Sequence, residues 1–234
     1  MNSTRLGSFD ITFLNEKEYH TVKREIWGKE IYYFKSSSIS PFIIDIGAHI
    51  GISVLYFKQL YPNSHILAFE PNPISFEILK QNIEINGLDN ITLINSAVYS
   101  QNGISTLYID DSEQNWHSNS SLLKNSWTGS EKTKPIQIQS TRLDSYVKNI
   151  STIDMLKIDT EGSEENILKS HKNILSRVEN ISVEYHPIMG KKINRILEIL
   201  KAYFDIQLLY EGQVIKNIPN NKLLTVQGKK RKQL

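Results

Sequence analysis

The sequence predicts an α/β fold in which a largely parallel β-sheet carries helices on both faces. Three observations support this. Short apolar, β-branched runs alternate with helical patterns along most of the chain, which is the signature of βαβ units. A glycine-containing turn falls where the first of these runs meets the first helix. Finally, 234 residues with 39% hydrophobic and 22% charged content suit one well-filled core, and two full-sized domains would be cramped.

Residues 1–41 read as an N-terminal cap. Within them, 8–34 suggest a strand, a short helix around Tyr19 to Trp27 and a second strand, IYYF (Ile31 to Phe34), followed by the connector SSSIS. The principal domain is expected over 42–228. FIIDI (Phe42 to Ile46) is its first strand and Ile52 to Leu60 the following helix. HILAFE (His65 to Glu70) precedes a helix over Ile74 to Asn86, and Gly87 is placed to end that helix in the left-handed region. NITLIN (Asn90 to Asn95) is the third strand. IDMLKID (Ile153 to Asp159) and NISVEYH (Asn180 to His186) are the next two, with helices over Glu164 to Leu175 and Lys191 to Tyr203. Asp205 to Tyr210 and Lys222 to Val226 read as a terminal strand pair, joined by a loop or hairpin connection.

Between the third and fourth parallel strands lie two alternating runs, GISTLYID and PIQIQST. They predict an inserted antiparallel pair, added to the sheet edge or folded over it. The polar stretch 111–134 between them carries Trp116 and Trp127. A loop of that length in a compact domain suggests a lid over a ligand, with either indole able to stack on a flat ring or sugar face. Residues 229–234 read as a basic, solvated tail.

Composition narrows the chemistry. Lys and Arg number 27 against 25 Asp and Glu, a formal charge of +2, which supplies no broad field for a polyanion, so nucleic acid is not the expected partner. The chain has no cysteine, which excludes disulfides, a thiol nucleophile and thiolate metal sites. The opening residues lack the basic-then-apolar pattern of a signal peptide, and no window reaches the ~18 apolar residues of a membrane span. A cytoplasmic location is the expectation.

The turn DIGAHIG runs from Asp45 to Gly51. A glycine turn at a strand's carboxyl end lets a ligand approach backbone and helix amino terminus. Its spacing is DxGxxxG, without the third glycine of a dinucleotide fingerprint. Asp45 would repel a pyrophosphate but attract an ammonium group. Glu70, at the end of the second strand, suits the two hydroxyls of a ribose. Ribose, no phosphate and an amino-acid tail together describe S-adenosylmethionine. Ser96 and Ala97 close the third unit with small side chains that leave room for an adenine edge.

The sequence resembles the FkbM-type S-adenosylmethionine-dependent methyltransferases. The resemblance rests on FIIDIGAHIGISVLYF, AFEPNPISFEILKQNIEINGL, SAVYS, TRLDSY, IDMLKIDTEGSEENIL and VEYH, and covers about residues 20 to 187. It implies a class I methyltransferase (Rossmann-like) sheet of seven mostly parallel strands, the last antiparallel, with S-adenosyl-L-methionine as cofactor. It also implies that Asp45, Gly47 and Gly51 contact the methionine end. His49 lies in the same turn, where the family usually has Asn. Glu70 is assigned to the ribose, and Asn72, Ser96 and Ala97 to the adenine surroundings. Asp159, Glu161 and His186 are expected at one crevice as the catalytic group.

Methyl transfer to a hydroxyl needs alignment and a proton acceptor, and any of Asp159, Glu161 and His186 has suitable chemistry. No metal is required, and these three scattered residues have no metal-ligand spacing. The expected activity is methylation of a hydroxyl on a small molecule, such as a sugar, glycolipid or secondary metabolite. N-methylation of a small molecule and a non-catalytic binding scaffold are the alternatives. The missing third glycine argues against a nicotinamide oxidoreductase.

Overall fold

A computed structural model of the chain describes residues 1–112, 116–124, 132–188 and 192–231. The chain opens with a hairpin, β1 (Asn2–Leu6) and β2 (Phe9–Phe13), paired antiparallel. Helix α1 (Glu16–Lys23) follows, its amino terminus capped by the Asn15 side chain accepting from Glu18 N, and its end widens into a π-type turn over Arg24–Gly28. IYYF is not a strand. Its Ile31, Tyr32 and Phe34 are buried while Tyr33 is exposed, so an irregular segment satisfies the alternating pattern by packing beneath the sheet.

The parallel units come next: β3 (Phe42–Ile46), α2 (Ile52–Leu60), β4 (His65–Phe69), α3 (Pro73–Ile85) and β5 (Ile91–Ile94). Asn72 caps α3 by accepting from Ile74 N, with Pro73 in the first turn, where its missing N–H is not needed. The insertion is β6 (Ala97–Val98), β7 (Gly103–Asp110) and β8 (Thr133–Thr141), which form a separate three-stranded sheet. Then follow β9 (Ile153–Ile158), α4 (Glu164–Ser170), α5 (Lys172–Leu175), β10 (Val178–Tyr185), α6 (Ile193–Lys201), β11 (Phe204–Tyr210), β12 (Gln213–Ile215) and β13 (Leu224–Lys230).

The main sheet has the order β12-β11-β13-β10-β9-β3-β4-β5. Five neighbouring strands, β10 to β5 in that order, are parallel, and β13 runs antiparallel between β10 and β11. This is the expected class I arrangement with one addition. β12, drawn from the residues read as a loop or hairpin connection, pairs with β11 as an eighth edge strand. β13 also extends into the residues read as a tail, through Lys230, whose ammonium lies 2.8 Å from Glu179, while Arg231 pairs with Asp205 at 3.2 Å.

Two cores flank the sheet, sorted by the period-2 alternation of its strands. Ile44, Ile46, Leu156, Ile158, Ile181 and Val183 face α4, α5 and α6. Ile43, Ile66, Ala68 and Met155 face α2, α3 and the N-terminal cap. Successive units leave β3 in opposite directions, β4 and β5 to one side and β9 and β10 to the other. The carboxyl ends of β3 and β9 therefore form a topological switch point, where open α/β sheets bind ligands.

Candidate active site

At that switch point lies a cleft lined among others by Gly47, His49, Glu70, Ser96, Ala97, Asp159 and Glu161. Gly47 has φ +84°, and a Cβ there would stand 1.8 Å from the Asp159 carbonyl oxygen. The first glycine of the turn is thus required by the close approach of two strand ends as well as by its backbone angle. Gly51 (φ +94°) packs against Leu79 and does not line the cleft.

Glu70 is anchored at both oxygens: Oε2 accepts from His49 N at 2.7 Å and Oε1 from Asn72 N at 2.8 Å. Burial pushes its carboxyl pKa up to about 7, against the lowering influence of those two N–H donors. Each oxygen retains a lone pair for a ligand hydroxyl. Beyond Glu70 the wall is apolar, formed by Phe69, Pro71, Val98, Leu107 and Leu122. Ser96 Oγ and both ring nitrogens of His49 are buried and have no hydrogen-bond partner among the described residues, although His49 Nε2 lies 3.6 Å from Glu18 Oε1. Burial lowers the His49 pKa, with Glu18 opposing. His49 has φ +50°, a left-handed angle that Asn tolerates better than other non-glycine residues.

Asp45 and Asn72 are placed behind the wall. Asp45 is fully buried, 2.9 Å from Lys157 Nζ, and accepts from Ser53 Oγ at 2.5 Å. Asn72 is also fully buried; it caps α3 and donates to Ser120 Oγ at 2.9 Å. Asp45 therefore meets the Lys157 ammonium in this structure, where the sequence suggested the ammonium of a ligand.

Lys157 was not singled out in the sequence. It pairs in register with Asp45 on β3 and Ser182 on β10, so Asp45, Lys157, Asp159, Ser182 and Glu184 share one face of the sheet by alternation. Lys157 Nζ donates to Gly47 O at 2.6 Å and lies 3.6 Å from Asp159 Oδ2. Burial works against its charge, but Asp45 and Asp159 outweigh that and hold its pKa above the ordinary value. Tyr32, from the cap, covers this column. Its hydroxyl donates to Glu184 and lies 3.2 Å from Asp159 Oδ2, and its ring sits 5.2 Å from Lys157 Nζ. Burial and the Asp159 charge push the Glu184 carboxyl up to about 8.

Asp159 and Glu161 line the cleft, whereas His186 stands behind them. Its Nε2 is 3.4 Å from Glu161 Oε2 and 3.8 Å from Asp159 Oδ1, and its Nδ1 is 3.0 Å from Glu164 Oε1. Burial disfavours the imidazolium, yet Glu161 and Glu164 lift its pKa well above the usual value. Glu164 is buried and also accepts from Gly162 N and Thr160 N. The three expected catalytic residues thus gather, but only the two carboxylates reach the cleft.

Part of the stretch read as a lid covers the site. Ser118 N donates to the buried Glu18 of α1 at 2.6 Å, Ser121 Oγ donates to Glu161 O at 2.7 Å, and Ser121 bridges to Tyr108. His117, Ser118 and Ser120 line the cleft. Trp116 is half-buried and does not line the cleft, and Trp127 lies outside the described residues. Among the described residues, no helix is long and apolar enough to cross a membrane.

A family model described as Methyltransferase FkbM domain matches residues 45–206. Methyltransferase 1 of Beauveria bassiana is 31% identical over 164 residues, covering 60% of this chain and 64% of the relative. 2-O-methyltransferase NoeI of Sinorhizobium fredii is 26% identical over 155 residues, covering 62% and 63%. The chain thus spans less than two thirds of the length of either relative. The crystal structure of Methyltransferase FkbM from Methylobacillus flagellatus superposes with a TM-score of 0.57 at 15% identity, covering 86% of this chain and 47% of that one; this likeness shows the fold.

Proposed function

The chain belongs to the FkbM methyltransferase family, and from that premise we propose that it transfers a methyl group from S-adenosyl-L-methionine to a hydroxyl of a small molecule. One observation carries the reading: a buried, doubly anchored Glu70 beside an apolar slot and unpartnered polar atoms of Ser96 and His49, all on one cleft at the switch point. That set fits a nucleoside. Glu70 would hold the ribose hydroxyls, and the wall from Phe69 to Leu107, with Ser96 and Ala97, would take the base. Gly47 and His49 would border the amino-acid end. When bound, the cofactor supplies an activated methyl group with a good leaving group.

The protein's own task is to position the acceptor and take its proton. Apart from Glu70, which is given to the ribose, Asp159 and Glu161 are the carboxylates that line the cleft among the described residues, so the proton acceptor is one of these two. His186 lies behind both and orients them. The name of NoeI specifies methylation at an oxygen, which favours a hydroxyl here over a nitrogen. The small net charge favours a neutral or modestly charged small acceptor over nucleic acid.

The test is methyl transfer from labelled S-adenosylmethionine to extract of the producing cell, repeated with Asp159→Asn and Glu161→Gln. One variant should lose about 10²-fold or more in turnover while still binding S-adenosylhomocysteine. Label on a nitrogen would replace the hydroxyl reading, and absence of cofactor binding would overturn the proposal.

A further inference from the structure

We propose that Asp159, Glu184 and His186 form a binding site for one divalent transition-metal ion at the acceptor end of the cleft. The three residues each offer a ligand atom, and these atoms lie within 4.8 Å of one another. Donors around an ion at about 2.1 Å stand roughly 3.0 to 4.3 Å apart. His186 Nε2 and Asp159 Oδ1, at 3.8 Å, already fall in that range. The remaining contraction is within the reach of side-chain torsions.

Topology makes the set deliberate. Asp159 follows β9, and Glu184 and His186 lie two apart at the end of the adjacent parallel strand β10, on the face that carries Lys157. Residues i and i+2 on a strand end, beside the end of its neighbour, converge on one point by the pleat alone.

The orientation of the imidazole is a second, separate observation. Glu164 comes from α4 and is not among the ligands. It receives His186 Nδ1 at 3.0 Å and is itself fixed by Gly162 N and Thr160 N. A carboxylate holding Nδ1–H turns Nε2 toward Asp159, at 3.8 Å, and toward Glu161, at 3.4 Å, and a carboxylate on Nδ1–H is the arrangement that orients metal-ligating histidines. Tyr32 does the same for the carboxylates. Its hydroxyl is taken by Glu184 Oε1 and faces Asp159 Oδ2, the oxygen opposite the one nearest His186.

Charge points the same way. Asp159, Glu161 and Glu184 converge here; of the two cationic groups beside them, Lys157 is engaged by Asp45 and Gly47 O at shorter range, and the His186 imidazolium beside Asp159 and Glu161 gives up its Nε2 proton to the incoming ion. A cation between these carboxylates relieves their mutual repulsion. Two carboxylates with one imidazole suit ions of the Mn²⁺ to Zn²⁺ series better than Mg²⁺ or Ca²⁺, which favour all-oxygen sets. Because Asp159 also lines the cleft, an ion held there has its open positions toward an acceptor hydroxyl. The inference goes beyond methyl transfer, and ion binding by the chain alone stands or falls separately from it.

The experiment is titration of the full chain, stripped with a chelator, with Mn²⁺ alone, followed by the loss of the free-ion electron paramagnetic resonance signal. The expected result is one Mn²⁺ per chain, displaced by Zn²⁺, with directly bound nitrogen visible in pulsed spectra of the unmodified protein. Glu184→Gln and His186→Ala should each weaken binding roughly ten- to hundred-fold, while the surface variant Glu77→Gln binds as the parent does. Absence of Mn²⁺ and Zn²⁺ binding at millimolar ion overturns the site. So does a bound Mn²⁺ without a nitrogen ligand. Unchanged affinity in both folded ligand variants places the ion elsewhere and likewise refutes it.

Discussion

Glu70 gives the most exacting test of the cofactor assignment, because its ionisation and its proposed role are linked. In the free protein burial pushes its pKa up to about 7. Two ribose hydroxyls donating to it favour the carboxylate, so binding should expel a proton wherever Glu70 is still protonated. With a free-state pKa of about 7, roughly nine-tenths of the molecules carry that proton at pH 6 and about one-tenth at pH 8. If only the ionised form accepts the ribose, affinity for S-adenosylhomocysteine rises about tenfold over this range. Calorimetry in buffers of differing ionisation enthalpy reads both quantities, the affinity and the protons released. Release should approach about one proton per binding event near pH 6 and vanish near pH 8. Glu70→Gln should bind more weakly and lose the dependence, which isolates Glu70 from Lys157 and Asp45, the charged groups that also act on it. The free protein has a matching signature. A carboxyl whose folded pKa is raised contributes stability that is full below the unfolded value and lost as pH rises through the folded one. This group alone should remove about 3 kcal/mol between pH 4.5 and above pH 7. A flat affinity with no proton release, or the same dependence in Glu70→Gln, would refute the reasoning.

Three further outcomes are expected. Lys157→Met strands Asp45 at full burial and should lower unfolding free energy by about 3–5 kcal/mol; Asp45→Asn added to it should recover part of the loss, as urea denaturation would show. A single-variant loss near zero would mean that the pair is not buried as described. Gly47→Ala places a Cβ 1.8 Å from a backbone oxygen at positive φ and should yield a protein that fails to fold or has lost cofactor binding, read by circular dichroism and calorimetry, whereas Gly87→Ala meets nothing within 4 Å and should cost only about 1 kcal/mol for its left-handed angle. Glu18→Gln weakens the acceptor of Ser118 N and should raise KM for the cofactor more than it lowers kcat; equal effects on both would place the lid contact at the chemical step.

The parallel strands were legible because β-branched runs bounded by turns leave little choice. FIIDI, HILAFE, IDMLKID and NISVEYH all lie in the central sheet. IYYF misled because alternation records which side chains are buried and not how the backbone is paired. Glu30 at φ +51° and the turn from Glu30 O to Tyr33 N break the extended path. The visible part of the site was the part encoded locally: the glycine turn, Glu70 at a strand end, and the acidic residues after β9. Lys157 was hidden because a lone lysine inside an apolar run has no meaning until register places it against Asp45. Glu18, Tyr32 and His117 were hidden for a related reason. Tyr32 and Glu18 act from segments with no motif, through contacts that span about a hundred residues or more, and His117 lines the cleft from within the polar stretch 111–134 without a pattern that marks it. Glu184 also carries no motif, and its burial beneath the Tyr32 hydroxyl becomes visible only in the structure.

Those distant residues bear on what the family-matched segment can do alone. The match begins at residue 45, yet Tyr32 roofs the charged column of Lys157, Asp159 and Glu184, and Glu18 accepts from Ser118 N and lies 3.6 Å from His49 Nε2 of the glycine turn. A sheet face that carries a lysine and three carboxylates cannot be covered by an apolar helix without stranding those charges. It requires a cover that supplies a hydrogen-bond donor and a polarisable ring, and Tyr32 supplies both. The same cap buries Leu6, Ile11, Phe13 and Tyr19 against α2 and α3, so the roof is fixed by a core and not by the hydrogen bonds alone. The charged column and its cover are therefore one unit. A change in one demands a compensating change in the other, which makes the segment before the match a determinant of the chemistry at the cleft.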